Sequence, residues 1–435
     1  MSSQSIPKCS STPATGSISI PLRLTLCRAI VVVLHGGGFR TGSNRDSLYD
    51  GRWLASVADV VVAVPNYRLG PLGFLRSGDK PDAPGNQGLW DQLLALQWVR
   101  TNAASFGAHQ DDVTLLGVDS GAVAAGLHLL SPLSRQFFER AVLSGGSPFI
   151  MSRFSAFAES EELRQLAATA CDEPHLNVAV DKDEQPLGQS AMACLRFASA
   201  EHIVNSLDEF NGVHGRPFGP LYGANMTEDD FFLPASGESL LPDEEGVGGT
   251  FGGKALLIGY AVNEGEYFLR QFIDDWDLET VDALPKPMVR MLLDRLVLHF
   301  FGAEQLAEIG RPYFGDLLAV NASSFSSAED ACVRAAAFLG DVLVKCPARM
   351  MADLASEGGA RVYFYEFDYN LNELAMDDSA EVHGHWSGAP HYADALFMLG
   401  IFLSRQLPDN SHALATSRRM MGKLGAFART GYANL

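Results

Sequence analysis

The residues best placed to do chemistry lie between Thr114 and Ala122, where the sequence predicts a buried strand, a glycine-flanked turn and an alanine-rich helix. Residues 117–121 of this turn read Gly-Val-Asp-Ser-Gly. A turn with a glycine two residues before and after its centre can present the central side chain as a nucleophile at the end of a sheet. The central residue is Asp119, so a carboxylate stands where acyl transfer normally uses a hydroxyl or thiol.

Two other interpretations of this turn remain open. If Ser120 were the centre, the flanking positions would be Val118 and Ala122, and a β-branched valine would crowd the turn. The segment could also be an ordinary strand-to-helix connection without any chemistry. We expect Asp119 at the apex, because only that register places a glycine on both sides.

Alternating strands and helices must position this turn. Apolar runs predict strands at about 29–34, 59–65, 113–116, 141–143, 255–258 and 362–367, and helical spacing predicts helices at about 86–105, 122–130, 159–171, 286–300, 328–340, 346–356 and 411–430. This alternation predicts an α/β fold with a mostly parallel central sheet and helices on both faces. No linker requires a split, so we predict an irregular segment over 1–28 and one domain over 29–435.

Composition narrows the class of protein and its location. The 435 residues carry a net charge of -20, which argues against nucleic-acid binding. No apolar run reaches membrane-spanning length, and the first residues lack the apolar core of a signal peptide. Cys171 and Cys194 nevertheless bracket a polar, acidic segment, as a loop-closing disulfide of an extracellular protein does. Asn225 and Asn321 begin glycosylation sequons, which also favour a secreted protein.

Short motifs along the chain occur in an order that is typical of one enzyme family. They lie at 31–39, 66–68, 73–75, 85–92, 95–99, 114–132, 263–265, 365–367 and 388–391. In this order they resemble the cholinesterase/carboxylesterase (type-B carboxylesterase) family of α/β-hydrolases. The resemblance implies the α/β-hydrolase fold over roughly 30–435. The family's N-terminal and C-terminal segments are expected to be missing from this chain.

The resemblance also assigns site residues. Glu264 is the expected acid that orients a catalytic histidine, and His391 is the expected base. The backbone N–H groups of Gly37, Gly38 and Ser120 are the expected oxyanion hole, because bare glycine backbone can face a developing charge. No cofactor is expected, and the Cys and His residues show no metal-ligand spacing.

Some residues near these motifs are expected to be structural. The resemblance suggests that His35 is a structural residue and that Arg68 is a buried structural cation near the turn. Val118 replaces the acidic residue that usually precedes the family's serine. Cys346 matches a family half-cystine whose partner lies beyond this chain, so it is expected to be unpaired or to pair with Cys332.

Asp119 changes what such a site can do. It is a carboxylate at neutral pH, and it would face His391 from the side opposite Glu264. An imidazole between two carboxylates has a raised pKa, and a protonated histidine cannot act as a general base. Attack by a carboxylate on an ester gives an anhydride, which is uphill. Loss of a triad serine reduces turnover by on the order of 10⁶-fold, so we expect ordinary esterase activity to be lost.

The sequence leaves functions of three kinds open. The first is a catalytically impaired, non-catalytic binding or adhesion module of the family. The second is an active carboxylic-ester hydrolase that acts through Ser120, or whose residue 119 reflects a sequence error. The third is a hydrolase with Asp119 as its nucleophile, since a carboxylate is readily alkylated and water can cleave the resulting ester. The expected partner is a small ester or another protein.

Overall fold

One parallel sheet organises the protein. The computed structural model describes residues 27–75, 86–153, 169–171, 189–206, 251–272, 311–314, 328–371, 388–405, 407–408 and 411–433. Within these residues the sheet has six strands in the order β2-β1-β3-β4-β5-β6, and each neighbouring pair is parallel. The strands are β1 Arg28–Leu34, β2 Val61–Ala63, β3 Ala108–Val118, β4 Arg140–Ser144, β5 Ala255–Ala261 and β6 Arg361–Phe367. The predicted parallel sheet is therefore confirmed.

Helices follow most of the strands, as the sequence pattern predicts. Of the predicted helices, the one at 286–300 lies outside the described residues, as does most of the one at 159–171. A short π-helical segment, Asp341–Lys345, connects two of the observed helices. The helices are α1 Arg52–Ala58, α2 Gly70–Phe74, α3 Gln87–Asn102, α4 Ser120–Leu130, α5 Gln189–Phe197, α6 Glu264–Phe272, α7 Arg311–Phe314, α8 Ala328–Gly340, α9 Cys346–Glu357, α10 Ala393–Leu399 and α11 His412–Thr430.

The sheet is buried on both faces because its strands carry apolar residues at consecutive positions. In β1, Ile30 and Val32 belong to a core shared with α3, α4 and α9, whereas Val31 and Val33 belong to a second core with α1, α10 and α11. Successive strand residues point to opposite faces, so a continuous apolar run serves both layers. This three-layer arrangement is the α/β-hydrolase type that the motifs imply.

A disulfide closes the segment between α4 and β5. Cys171 and Cys194 are joined with an S–S distance of 2.10 Å and a Cα–Cα distance of 6.0 Å, which confirms the predicted pair. Cys27 is disulfide-bonded as well. Among the described residues, no disulfide joins Cys332 to Cys346.

Three sequence predictions fall largely or wholly outside the described part of the chain. Asn225 and Asn321 are not among the described residues, so both sequons remain predictions. The same holds for nearly all of the irregular segment predicted over 1–28. Where the chain is described, no helix is both long enough and apolar enough to cross a bilayer.

Candidate active site

The turn between β3 and α4 holds Asp119 in a strained conformation. Its φ and ψ angles are 53° and -122°. A Cβ on Gly117 would lie 2.0 Å from the carbonyl oxygen of Gly121, and a Cβ on Gly121 would lie 2.1 Å from that of Leu34. Larger residues are therefore excluded on both sides, as the glycine spacing predicts. A non-glycine residue at such a position carries about 1–3 kcal/mol of strain, which the surrounding fold must offset.

Ser120 does not occupy the apex of this turn. It begins α4, is 3% exposed, and its hydroxyl makes no hydrogen bond to His391. Only Asp119 has a positive φ in this turn. The geometry thus matches the register in which Asp119, flanked by Gly117 and Gly121, is the presented residue.

Two loops at the carboxyl ends of β5 and β6 meet beside this turn. Asn263, two residues beyond the end of β5, forms a parallel bridge with Pro390. Its N–H donates to the carbonyl of Ala389 at 2.8 Å, and its side-chain oxygen accepts from the N–H of Ala389 at 3.1 Å. These contacts fix the residues that follow on each loop, Glu264 and His391, next to each other.

Glu264, His391 and Asp119 form a continuous line of charged groups. Glu264 is fully buried; its Oε1 accepts from the N–H of Ala261 at 2.8 Å, and its Oε2 accepts a short hydrogen bond from Nδ1 of His391. Nε2 of His391 lies 3.4 Å from Oδ1 of Asp119, within ion-pairing distance but without hydrogen-bond geometry. The rings of Tyr267 and Phe268 lie with centroids 5.0 Å from that of His391 and hold the imidazole in place.

The second oxygen of Asp119 is held by the glycine loop, which we define as Gly36–Gly38. Oδ2 accepts from the N–H of Gly37 at 2.9 Å and from the N–H of Gly38 at 3.2 Å. The hydroxyl of Tyr392 donates to the same oxygen at 2.8 Å. The carboxylate of this chain therefore fills the place where the two glycine N–H groups converge.

Glu264, His391 and Asp119 form a charged cluster, and their charges shift the pKa values of His391 and Asp119. Burial opposes the charge of Asp119, but the attraction of the nearby His391, with hydrogen bonds from the N–H groups of Gly37 and Ser120, holds the pKa of Asp119 well below its usual range. Burial alone would lower the pKa of His391, but the attraction of Glu264 and Asp119 raises it to about 10. His391 is therefore an imidazolium at neutral pH, as its position between two carboxylates predicts.

The raised pKa of His391 predicts a pH dependence of stability. The unfolded imidazole has a pKa near 6.5, so the stabilisation from this group is complete below about pH 6.5 and is lost as pH rises towards 10. Asp119→Asn removes one of the two carboxylates, so we expect less loss of unfolding free energy over that pH window than in the wild type. Urea unfolding from pH 6 to 10 measures this, with the surface variant Asp111→Asn as control. Identical pH profiles for the wild type and Asp119→Asn would contradict the ion pair.

Comparison of the sequence with known proteins identifies the family to which this chain belongs. Residues 17–435 match the model of the carboxylesterase family. The chain belongs to that family. It is 26% identical over 425 residues to an acetylcholinesterase of Leptinotarsa decemlineata, covering 92% of this chain and 60% of that protein. It is 29% identical over 419 residues to an acetylcholinesterase of Bungarus fasciatus, covering 92% and 61%. The chain thus spans about three-fifths of the length of these relatives.

Two residues of this carboxylesterase-family site, which follow His391 in the chain, were not given a role of their own from the sequence. Tyr392 has a φ of 71°, a left-handed conformation that is uncommon for a tyrosine. Asp394 is buried, and its Oδ2 accepts from Ser144 Oγ at 2.7 Å and from the Tyr365 hydroxyl at 2.5 Å, which ties the start of α10 to β4 and β6. Burial, followed by the nearby charge of Glu264, raises the pKa of Asp394. Only proximity to His391 in sequence could have marked either residue.

Arg68 and His35 were both expected to be buried or structural residues, and the structure agrees with that expectation for His35 but not for Arg68. The expectation that Arg68 is a buried cation near the turn is wrong. Its side chain is 54% exposed and pairs with Asp91 at 2.7 Å, because α3 presents that carboxylate at the surface. His35 is buried and stacks on Tyr67 with a centroid distance of 4.4 Å, which agrees with a structural role. Burial lowers the pKa of His35.

A small cavity opens beside the cluster. It has a volume of about 260 Å³. The described residues contain no group of three or more His, Cys, Asp or Glu side chains arranged to hold a metal ion. Residues lining the cavity include Gly37, Leu48, Tyr49, Tyr267, His391 and Tyr392.

Proposed function

We propose that this member of the carboxylesterase family has no ordinary serine-esterase activity and that its domain serves binding. In this proposal Asp119 occupies the nucleophile position, Glu264 and His391 occupy the acid and base positions, and Gly37 and Gly38 occupy the oxyanion-hole positions. The observation that supports it best is the set of hydrogen bonds from the glycine loop to Oδ2 of Asp119.

Two separate obstacles stand against ester hydrolysis. The first is the nucleophile, because attack by Asp119 on an ester would give an anhydride rather than a stable acyl-enzyme. The second is the oxyanion hole, whose donors normally bind the substrate's carbonyl oxygen as charge develops on it. Here those donors already bind a carboxylate, and charge-assisted hydrogen bonds of this kind are stronger than bonds to a neutral ester carbonyl. An ester substrate would have to displace Oδ2 before it could react.

The charge state of His391 adds to these obstacles. With a pKa of about 10, the imidazole carries its proton at neutral pH and cannot accept one from a nucleophile. Burial opposes this charge, but the short contact with the buried carboxylate of Glu264 and the charge of Asp119 keep the imidazole protonated. Restoring a base therefore requires removal of the charge at residue 119.

The binding role would be filled by a protein partner or by a small ester that is held without turnover. The disulfide between Cys171 and Cys194 supports a secretory or extracellular location, where such bonds persist. The net charge of -20 favours a basic partner over an acidic one.

Hydrolysis of a nitrophenyl acetate and labelling with a fluorophosphonate probe test the loss of esterase activity. We expect neither turnover nor labelling for the purified wild type, because Ser120 is buried and is not the presented residue. Strong turnover that survives Asp119→Ala but not Ser120→Ala would overturn the proposal and establish a serine esterase in the shifted register.

A further inference from the structure

We propose that Asp119 is a nucleophile for saturated carbon, and that the site converts small primary alkyl halides into the alcohol and a halide ion. This activity lies beyond the proposed loss of esterase activity. It concerns a carbon–halogen bond rather than an acyl ester, so the loss of esterase activity and this activity can each fail without the other. Turnover of an alkyl halide would replace the binding role proposed above.

The two oxygens of Asp119 are held differently, as this chemistry requires. Oδ2 accepts the hydrogen bonds from Gly37, Gly38 and Tyr392. Oδ1 faces Nε2 of His391 at 3.4 Å without hydrogen-bond geometry. The side chain is 17% exposed although its surroundings are mostly buried. One oxygen is thus fixed while the other keeps lone pairs for attack.

A carboxylate suits attack on saturated carbon better than attack on an ester. In the first step Oδ1 of Asp119 forms a bond to the carbon, and the carbon–halogen bond breaks with its electron pair leaving on the halide. The product is an alkyl ester of Asp119, which is a stable linkage, unlike the anhydride that acyl transfer would give. Its carbonyl oxygen is Oδ2, which is already seated on the glycine loop.

Esterification changes the charge that His391 experiences. The ester of Asp119 is neutral, so only Glu264 still raises the pKa of His391, which is the ordinary arrangement of a base and its orienting acid. The pKa of His391 falls, and its proton passes to solvent. The first step therefore creates the general base that the second step needs.

Water then cleaves the ester. Nε2 of His391 takes a proton from a water molecule as the oxygen of that water attacks Cγ of Asp119, and the negative charge that develops on Oδ2 is stabilised by the glycine loop and Tyr392. Burial and the charge of Asp119 raise the pKa of the Tyr392 hydroxyl, so it remains a donor throughout. The Cγ–Oδ1 bond breaks, the alkoxide takes the proton from His391, and the new carboxylic acid returns its own proton to the imidazole.

Asp119 does not itself line the adjacent cavity, but His391 and Tyr392, which lie against its two oxygens, do, so an alkyl chain held there lies beside the carboxylate and must be short. About 260 Å³ is available, with aromatic and aliphatic side chains that suit an uncharged alkyl group. One carboxylate, Asp46, also lines it and can serve as an internal control for unselective alkylation. The apolar part of the lining comes from Leu48, Tyr49, Tyr267 and Leu396.

The test incubates the full-length protein with 1-bromobutane in water enriched in heavy oxygen. We expect bromide release by the wild type and incorporation of heavy oxygen into the peptide that contains Asp119. In His391→Gln the base is lost, so the butyl ester of Asp119 should accumulate towards one per chain. Asp119→Asn, which has nearly the same shape, should lose both signals. Circular dichroism confirms that each variant is folded.

Two outcomes of this experiment would overturn the inference. If folded wild type gains no heavy oxygen at Asp119 and folded His391→Gln gains no butyl group there, Asp119 is not a nucleophile for alkyl carbon. Butylation of Asp46 to the same extent as Asp119 would show unselective chemistry and would also reject it. Neither result bears on nitrophenyl ester hydrolysis, which tests the proposed function separately.

Discussion

Replacing Asp119 by serine is expected to create weak ester hydrolysis, and adding Tyr392→Gly is expected to increase it further. Serine supplies a neutral nucleophile and empties the glycine loop, and the pKa of His391 falls towards its usual value near 6.5. A triad serine accounts for on the order of 10⁶-fold in turnover, so even partial recovery is measurable against an inactive wild type.

Tyr392 explains why the single substitution should fall short. Its hydroxyl lies 2.8 Å from Oδ2 of Asp119 and only 2.5 Å from where a Cβ on Gly36 would be, so it covers the glycine loop. Once Asp119 is gone, that hydroxyl still lies over the glycine loop and restricts the approach of an ester from solvent, whereas an ester formed on Asp119 itself is already seated beneath it. We therefore expect Tyr392→Gly to raise the turnover of the Asp119→Ser variant, because it uncovers the N–H groups of the glycine loop. Glycine also relieves the φ of 71°.

Hydrolysis of nitrophenyl acetate by purified variants measures both effects. Asp119→Asn is the matched control, because it removes the charge without supplying a nucleophile and should stay inactive. Asp119→Ser with His391→Ala should also stay inactive, because the base is absent. Equal rates for Asp119→Asn and Asp119→Ser, or no gain from Tyr392→Gly, would show that the glycine loop is not where the substrate binds.

Local sequence signals were sufficient for the sheet and for the turn that carries Asp119. The glycines at 117 and 121 could be interpreted from size alone, and the structure shows carbonyl oxygens 2.0 and 2.1 Å from where their Cβ atoms would lie. Apolar runs such as 29–34 mark strands because parallel strands are buried on both faces. The turn depends on steric contacts between residues close in sequence, and the strands depend on burial of apolar side chains. Both can be predicted because neither requires knowledge of distant side chains.

The occupation of the glycine loop could not be predicted in the same way. It depends on the second oxygen of Asp119, on the backbone of residues 37 and 38, and on a tyrosine that is distant in sequence. The sequence placed an extra charge beside His391, but it did not show where that charge points. Arg68 was misplaced for a related reason, since its partner Asp91 is 23 residues away and lies at the surface. The direction in which a side chain points towards another helix or strand depends on tertiary packing, which a local sequence pattern does not encode.

Gly265→Ala is expected to destabilise the protein by about 3 kcal/mol, because α6 and α8 are in backbone contact at this residue. A Cβ there would lie 1.7 Å from the carbonyl oxygen of Ala336 and 2.5 Å from the backbone nitrogen of Gly340. No rotamer change can relieve a clash with backbone atoms, so the two helices must separate. Glu264 precedes this glycine and would move with α6, so the pKa of His391 should fall as well.

Gly422→Ala in α11 is the matched control for this substitution. Apart from the adjoining backbone of α11 itself, no heavy atom lies within 4 Å of the position of its Cβ, and alanine in a helix interior is favoured over glycine by about 0.5–1 kcal/mol, so this variant should be slightly more stable than the wild type. Urea unfolding of both variants, with an NMR titration of His391, measures the two effects. The contact between α6 and α8 couples stability to the site only if Gly265→Ala lowers both the unfolding midpoint and the pKa of His391. If Gly265→Ala is as stable as the wild type and the pKa of its His391 is still about 10, the contact between α6 and α8 does not couple stability to the site.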